Sequence, residues 1–404
     1  MNLENKTNLN YRQTFLLGLG FMVVSMVWAG YNAYMPIFLG RYTDSNTLIG
    51  FVMVWDNIAN IILLPIIGAA SDNTRTRIGR RMPYIIIGMP LAGLAYALLP
   101  FQKSFLTLIA IDIVFNVVIA TYRSPVVALM PDITAEYNRS KANGVINFMG
   151  GLGSLIMFFI GSQLYKVNNA YPFFLVAILS FIVPVILFFG IKEPKAFDQK
   201  RQKQSIFKSL LLVIKDKNRA PFFTLLSIFT LIAGFSSIET FFTRYAEIAL
   251  NINPAISSFS LGFYSIAFIA FALPAGFIAT KIGKKYTMMI GAIGSVPVLL
   301  VFATVTNFTV FEILLPIAGA LNAMFTINSY PLVVSYSSSE STGTYTGLYY
   351  LFSSLASIIA PPVFGLLMDF VSFKMLFVAG ATSMFVSFLF LIFIKARLTG
   401  EAVK

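Results

Sequence analysis

Long apolar stretches alternate with short polar loops along the whole chain. Each stretch is mostly apolar over about 20 residues, which is the length that an α-helix needs to cross a bilayer. Twelve such stretches predict membrane-spanning helices at residues 14–38, 47–70, 83–101, 104–130, 142–164, 171–191, 221–245, 255–279, 286–305, 308–334, 344–367 and 373–394. The pattern therefore predicts an all-α integral membrane protein with twelve transmembrane helices.

The composition fits this class and excludes several chemistries. Hydrophobic residues make up 57% of the chain and charged residues 11%, whereas about one quarter of a soluble domain is charged. The absence of cysteine excludes disulfides and thiol-bound metals, and without histidine a proton path has to rely on carboxylates. We find no nucleotide-binding loop, catalytic constellation or metal-binding set, so we expect no enzyme activity, no cofactor and no ATP-driven transport.

Positive charge is distributed unevenly between the loops. A net charge of +13 would suggest nucleic acid as the partner of a soluble protein, but here it collects in alternate loops. This distribution indicates topology and attraction to anionic lipid. With both termini in the cytoplasm, the basic residues outside are Arg41, Lys103, Lys166, Arg244 and Lys374. The first residues lack a cleavable signal pattern, so we expect the first span to stay in the protein. The charge bias predicts a multi-pass protein of the cell membrane with both termini cytoplasmic.

The loop between the second and third spans is the most distinctive stretch. It reads GAASDNTRTRIGRR from Gly68 to Arg81, and we call it the signature loop. Gly68 allows two helices to approach closely, and Asp72 follows where the helix leaves the hydrocarbon. A plain alternative is that any cytoplasmic loop of a membrane protein collects arginine. The residues that we assign to a gating loop are Gly68, Asp72, Arg77, Gly79, Arg80 and Arg81.

The signature loop has a second copy in the chain. Residues Gly276–Lys285, GFIATKIGKK, repeat its skeleton 208 positions later, without a four-residue insert and with Thr280 in the place of Asp72. Asn322 in the tenth span likewise corresponds to Asn116 in the fourth span. A duplication of this kind predicts two halves. The predicted segments are an N-terminal half, a cytoplasmic linker with a short helix at the membrane surface, and a C-terminal half, at residues 1–192, 193–219 and 220–404.

Two six-span halves of the same orientation, joined by a charged inner loop, resemble the major facilitator superfamily of transporters. Within it, Trp55-Asp56 followed by the signature loop is similar to the glycoside–pentoside–hexuronide:cation symporters. The string from Arg123 to Asp132, RSPVVALMPD, is similar to the related proton-coupled sucrose transporters. The first group often has a second Asp four residues after the first. Here that position is Asn60, which favours a proton over sodium as the coupling ion.

The resemblance implies that the signature loop is a gate. Asp72 is expected to face the inner end of the eleventh span near Thr342, because a carboxylate is favoured beside the N-terminus of a helix. This contact would latch the two halves shut on the inside, while the arginines bind lipid and nearby carboxylates such as Asp132. Thr280 carries no charge, so the latch is expected to be asymmetric.

Polar residues inside the spans are candidates for the transport chemistry, because a charge buried in lipid is costly. Asp112, Asn116 and Arg123 fall within about 40° of one another on the fourth span. Asp56 and Asn60 lie one turn apart on the second span. We expect Asp56 first, and Asp112 second, to carry the coupled proton beside Arg123. The alternatives are that Asp112 and Arg123 reach towards the membrane surfaces and that Asp56 only joins helices.

An aromatic plane beside an amide is one way to hold a sugar ring, and the first span offers Trp28, Tyr31 and Asn32 on one face. Because the chain contains 41 Phe and 18 Tyr, the alternative for any aromatic residue is lipid contact or packing. The second half adds polar residues without a matching stripe of charge. The predicted substrate-binding residues are Trp28, Tyr31, Asn32, Asn60, Asn116, Arg123, Glu239, Asn322 and Thr326.

The leading hypothesis is a monomeric secondary transporter that moves a sugar, such as a disaccharide or glycoside, together with a proton by alternating access. The first rival is an efflux carrier for drugs or lipid-like molecules on the same fold. It predicts a wide apolar cavity in which Asp112 and Arg123 do not touch the substrate. The second rival is a transporter-like receptor or scaffold that moves nothing, and the charges inside the membrane argue against it.

Overall fold

The computed structural model describes residues 9–193, 219–337 and 341–394, and within these ranges it contains helices and no strand. Twelve helical spans are long and apolar enough to cross a membrane. They are Tyr11–Leu39, Asn46–Asn73, Met82–Phe101, Phe105–Ile133, Lys141–Val167, Tyr171–Gly190, Ala220–Leu250, Pro254–Ile282, Lys284–Thr304, Phe308–Val334, Gly343–Phe370 and Met375–Ile392. The twelve predicted spans are therefore confirmed, and we number them one to twelve in chain order.

The ends of the spans differ from the prediction by a few residues, and span seven shows the physical reason. Its helix was predicted to end at residue 245 but continues to Leu250. Asn251 then ends the helix in the left-handed conformation, with φ at 56°, which asparagine tolerates better than most residues. The longer helix places Arg244 well inside the span, whereas the sequence placed it among the charges outside.

Span two consists of two helices. The short segment is Asn46–Met53, the long segment is Trp55–Asn73, and Val54 forms a turn between them. The sequence predicted one helix, because neither glycine nor proline marks the break. Ser45 begins the short segment as an N-cap, since its hydroxyl accepts a hydrogen bond from the Leu48 N–H at 3.2 Å.

The two copies of the signature loop share an unusual backbone conformation. Gly79 has φ at 116° and its counterpart Gly283 has φ at 93°. Residues with a side chain rarely adopt these angles, so glycine is required at both positions. The repeat found in the sequence is therefore also a repeat of local structure.

The described chain divides into two compact units. Unit 1 comprises residues 9–44, 55–193 and 253–262, and unit 2 comprises residues 45–54, 219–252, 263–337 and 341–394. The short stretches 45–54 and 253–262 begin spans two and eight, and 208 positions separate them, as in the sequence repeat. The division into halves at 1–192, 193–219 and 220–404 stays a prediction. Most of the linker, with its predicted surface helix, lies outside the described residues.

Small residues bring the helices of each unit close together. In unit 1, a Cβ atom built on Gly68 would lie 3.2 Å from the Ser124 hydroxyl, as expected for a glycine at a helix contact. In unit 2, the hydroxyls of Ser227 and Ser387 form a buried hydrogen bond of 2.8 Å. Phe302 and Phe311 also stack there with ring centroids 4.5 Å apart. Each unit therefore has its own closely packed core.

Candidate functional site

Unit 1 contains a buried polar cluster formed by Tyr31, Asp112 and Asn116, which we call the Asp112 cluster. The Tyr31 hydroxyl of span one donates a hydrogen bond of 2.9 Å to Asp112 Oδ1 of span four. Asn116 Nδ2, one turn further along span four, donates to the same oxygen at 3.2 Å. Asp112 and Tyr31 have 0% exposure and Asn116 has 3%. Two neighbouring helices therefore hold one carboxyl group in the protein interior.

The Asp112 cluster also has polar atoms without a partner. Asp112 Oδ2 and Asn116 Oδ1 are buried, and neither forms a hydrogen bond with any part of the described chain. The same holds for Nε1 of Trp28, whose ring contacts Tyr31. Buried polar atoms are nearly always hydrogen-bonded, so the unpartnered oxygens of Asp112 and Asn116 are exceptions that need an explanation.

Aromatic rings and one cation surround the cluster. The Tyr31 ring stacks on Phe115 with centroids 5.7 Å apart, and Trp28 meets the Tyr31 ring edge-on at 5.6 Å. The guanidinium carbon of Arg123 lies 5.4 Å from the centroid of the Trp28 ring, in cation–π geometry. Trp28 therefore orients Arg123 as well as packing against the aromatic residues.

Asp56 occupies a different environment from Asp112. It lies in the first turn of the long segment of span two, is half-buried, and accepts a hydrogen bond of 2.8 Å from Asn57 Nδ2. It is close enough to interact electrostatically with both Arg123 and Asp112. Asn60 lies one turn further on and is also half-buried, as is Asn32 on span one. The structure thus brings together the predicted residues Trp28, Tyr31, Asp56, Asp112, Asn116 and Arg123.

Unit 2 contains a second polar cluster, formed by Tyr264, Asn322 and Thr326, which we call the Asn322 cluster. Asn322 Nδ2 donates a hydrogen bond to the Tyr264 hydroxyl, and the Thr326 hydroxyl donates to Asn322 Oδ1 at 2.8 Å. Thr326 is exposed, and Asn322 and Tyr264 are half-buried. Glu239 is exposed on span seven and interacts electrostatically with Tyr264.

Tyr264 was missed by the sequence analysis, although the repeat contained a signal. Tyr264 lies 208 positions after Asp56, and Glu239 lies 208 positions after Tyr31. The acid and the tyrosine have therefore exchanged helices between the two copies. One tyrosine among 18 is not distinctive until the two copies of the repeat are aligned.

The signature loop is held by a network of ion pairs inside unit 1. Arg81 is 4% exposed, bonds to Asp72 Oδ1, and donates from Nε to Asp132 Oδ2 at 3.1 Å. Arg80 donates to Asp132 Oδ1 at 2.7 Å and lies 3.9 Å from Asp72. The expected role of Asp132 as partner of the arginines is thus seen directly. Arg77, by contrast, is exposed and takes no part in these pairs within the described chain.

Glu193 completes this network and was not predicted. Its carboxylate accepts hydrogen bonds from the backbone N–H groups of Arg81 at 3.0 Å and Met82 at 3.4 Å. These groups begin span three, where the helix dipole favours an anion. Glu193 is an acid directly after span six in an otherwise basic segment, which was the available signal. The predicted contact of Asp72 with span eleven stays a prediction.

Comparison with known proteins agrees with the fold. The sequence profile of the Major Facilitator Superfamily matches residues 17–260 and 245–403. The cis,cis-muconate transport protein of Acinetobacter baylyi is 25% identical over 258 residues, which cover 59% of this chain and 60% of that protein. Multidrug resistance protein 2 of Bacillus subtilis is 25% identical over 384 residues, which cover 90% and 91%.

A solved structure with the same fold is the crystal structure of a mutant of the nucleoside transporter NupG. It superposes with a TM-score of 0.77 at 15% identity and covers 96% of this chain and all of that one. The relatives are named for chemically different compounds, so none of them transfers a substrate to this protein. The family profile, in contrast, matches nearly the whole length of this chain. The chain therefore belongs to the Major Facilitator Superfamily and is a multi-pass membrane transporter.

Proposed function

We propose that the protein is a secondary active transporter that couples the movement of a small molecule to a proton carried by Asp112. The observation that carries this proposal is the geometry of the Asp112 cluster. A fully buried carboxyl group is held through one oxygen by Tyr31 and Asn116, while its other oxygen has no hydrogen-bond partner in the described chain. A proton on that second oxygen neutralises a charge that is costly inside a membrane.

The surrounding charges suggest how the proton is taken up and released. Asp56 is half-buried and acts on both Arg123 and Asp112, so it compensates the arginine while Asp112 is neutral. We therefore rank Asp112 above Asp56 as the proton carrier, which reverses the order expected from the sequence. Asp56 then serves as the anion that balances the charge of Arg123.

For the substrate we propose a sugar, such as a disaccharide or glycoside. The Asn322 cluster supports this class, because an accessible hydroxyl, an amide and a phenol are groups that bond to sugar hydroxyls without requiring charge. Asn32, Asn60, Asn116 and Glu239 are the remaining polar residues that we assign to recognition. The resemblance of span two and the signature loop to sugar:cation symporters points in the same direction.

The alternative is an efflux carrier for apolar or drug-like molecules. It is favoured by the similarity to multidrug resistance protein 2 along nine tenths of the chain. It is also favoured by the aromatic surroundings of Arg123, whose guanidinium lies against the half-buried Trp28 ring. For either function we propose a monomer in the cell membrane with both termini cytoplasmic, and alternating access as the mechanism.

The test uses purified protein in proteoliposomes with a pH-sensitive dye inside. Mono- and disaccharides, and separately an apolar cation, are added outside at equal internal and external pH. Symport predicts that one sugar acidifies the lumen as sugar and proton enter together. Efflux by exchange predicts that the apolar cation makes the lumen alkaline as protons leave.

The variant that tests whether Asp112 carries the proton is Asp112→Asn, which removes the ionisable group and keeps the size of the side chain. Its matched control is Asp44→Asn, because Asp44 is an exposed acid in a loop. We expect Asp112→Asn to abolish the pH signal and Asp44→Asn to retain it. A full signal in Asp112→Asn would disprove the role proposed for this carboxyl group.

A further inference from the structure

On the membrane side opposite the signature loop, one carboxylate is hydrogen-bonded to the first residues of the short segment of span two. Asp369, near the end of span eleven, accepts hydrogen bonds from the backbone N–H groups of Asn46 at 2.8 Å and Thr47 at 2.9 Å. It also accepts from Ser45 Oγ at 3.0 Å, Asn46 Nδ2 at 2.8 Å and Thr47 Oγ1 at 2.7 Å. The N-terminus of a helix carries partial positive charge, so a carboxylate is favoured at this position.

The carboxylate belongs to a larger chain of contacts within unit 2. Asn46, which is 2% exposed, donates to Asp369 and accepts a hydrogen bond of 2.8 Å from Arg244 Nε through its own Oδ1. Arg244 is 3% exposed, although the sequence suggested a charge outside the membrane. Asn46 therefore links a buried cation on span seven to the carboxylate on span eleven.

Two glycines allow the short segment to lie directly on span eleven. A Cβ atom built on Gly50 would be 2.7 Å from the carbonyl oxygen of Pro361. A Cβ atom on Gly365 would collide with the backbone of Asn46. The two backbones are thus in contact, which only glycine permits at these positions. The short segment is attached to unit 2 by both packing and charge.

The short segment is separated from the rest of span two by the turn at Val54. The chain passes from unit 2 to unit 1 at this point, two residues before Asp56. The corresponding stretch of span eight, residues 253–262, is held differently. It is part of a continuous helix, and the Tyr34 hydroxyl donates to Ser258 at 3.1 Å without any charge. The ionic anchor and the break therefore belong to span two and not to its repeat.

We propose that the short segment Asn46–Met53 is a gate that Asp369 holds in its closed position and that moves about Val54. With both termini in the cytoplasm, as proposed above, this gate lies at the outer membrane surface. Asp369 is exposed, so it can exchange its five hydrogen bonds for bonds to water when the segment leaves span eleven. The gate requires neither a particular substrate nor a proton, so it stands apart from the coupling proposed above.

The test uses the natural absence of cysteine in the chain. A single cysteine is introduced as Ile49→Cys, because Ile49 lies in the short segment with 0% exposure. The protein is placed in lipid nanodiscs and the rate of reaction with a water-soluble maleimide is measured. Adding Asp369→Asn to this background removes the charge at the helix N-terminus. We expect the cysteine to react about tenfold faster, since the closed position loses charge-assisted hydrogen bonds.

Two further variants keep the outcome interpretable. Asp44→Asn in the Ile49→Cys background removes an exposed acid from the preceding loop and is expected to leave the rate unchanged. Ser45→Ala with Thr47→Ala keeps the carboxylate and removes two donor hydroxyls, and is expected to raise the rate a few-fold. This pair replaces Asp369→Asn if that variant fails to fold.

The proposal fails if Asp369→Asn and Asp44→Asn react at the same rate. It also fails if the Ile49→Cys parent already reacts as fast as Asp44→Cys, because the segment would then not be held at all. Neither reading depends on a substrate, so a negative result here leaves the proton-coupling proposal untouched. Conversely, if Asp112→Asn disproves the proposed proton carrier, the maleimide result still tests the gate.

Discussion

The two polar clusters occupy related places in the repeat but differ in chemistry. The Asp112 cluster of unit 1 centres on a buried acid, whereas the Asn322 cluster of unit 2 is neutral and partly exposed. Asn116 and Asn322 correspond in the repeat, and the residue one turn before Asn322 is Ala318 where unit 1 has Asp112. The two copies thus share a hydrogen-bonding amide, whereas only the first copy has the buried acid.

The signature loops repeat the same contrast. In unit 1, Arg80 and Arg81 pair with the carboxylates of Asp72, Asp132 and Glu193. In unit 2, the counterparts Lys284 and Lys285 donate to backbone carbonyl oxygens, at 3.2 Å and 2.6 Å. At these two pairs of corresponding places, unit 1 uses carboxylates and unit 2 uses neutral groups. We propose that the Asp112 cluster handles charge, whereas the Asn322 cluster contributes neutral hydrogen bonds to the substrate.

The largest effect is expected when the buried acid of unit 1 is removed. In Asp112→Asn, we expect substrate-driven proton movement to fall at least about 100-fold, because the group proposed to carry the proton is gone and charge-linked hydrogen bonds of this kind contribute about 1.5–3 kcal/mol. Exchange of labelled substrate across the membrane without net proton movement is expected to continue. The measurement is the ratio of the two fluxes in the same proteoliposomes. Equal losses in both would indicate a purely structural role.

A second test gives the first signature loop the lysine that its copy has at the corresponding position. Arg81→Lys keeps the charge but cannot reproduce the forked contacts to Asp72 and Asp132. We expect a loss of about 2 kcal/mol in stability, measured as a lower thermal unfolding midpoint in detergent. The reciprocal variant Lys285→Arg is the control and is expected to change stability by less than about 0.5 kcal/mol. Equal shifts in the two variants would remove the contrast between the loops.

A third test removes the tyrosine hydroxyl from each of the two clusters. Tyr31→Phe deletes the hydrogen bond to Asp112, and we expect proton-coupled flux to fall about tenfold. Tyr264→Phe deletes the partner of Asn322 and is expected to raise KM a few-fold while the number of protons per substrate stays constant. The measurement is KM and coupling ratio for both variants. The same change in both would show that the clusters are not specialised.

The sequence was sufficient for the spans and for part of the site. Spans are set by apolar length, which is local information, so all twelve were found with small errors at their ends. The break at Val54 has no local signal, because it depends on the short segment packing on span eleven. The reversed order that we propose, with Asp112 above Asp56, likewise depends on burial, which only the packing of span one against span four reveals. Tyr264 and Glu193 acquire their roles from residues far away in sequence.

The smallest expected effect concerns one neutral hydrogen bond in unit 2. Thr326→Val keeps the shape of the side chain and removes the hydroxyl that donates to Asn322 at 2.8 Å. Because Thr326 is exposed, water can replace part of this contact, and a neutral hydrogen bond contributes only about 0.5–1.5 kcal/mol. We expect KM for the substrate to rise about threefold with unchanged maximal flux and coupling ratio. A change in the coupling ratio instead would mean that unit 2 also takes part in proton transfer, and the division between the two clusters would have to be abandoned.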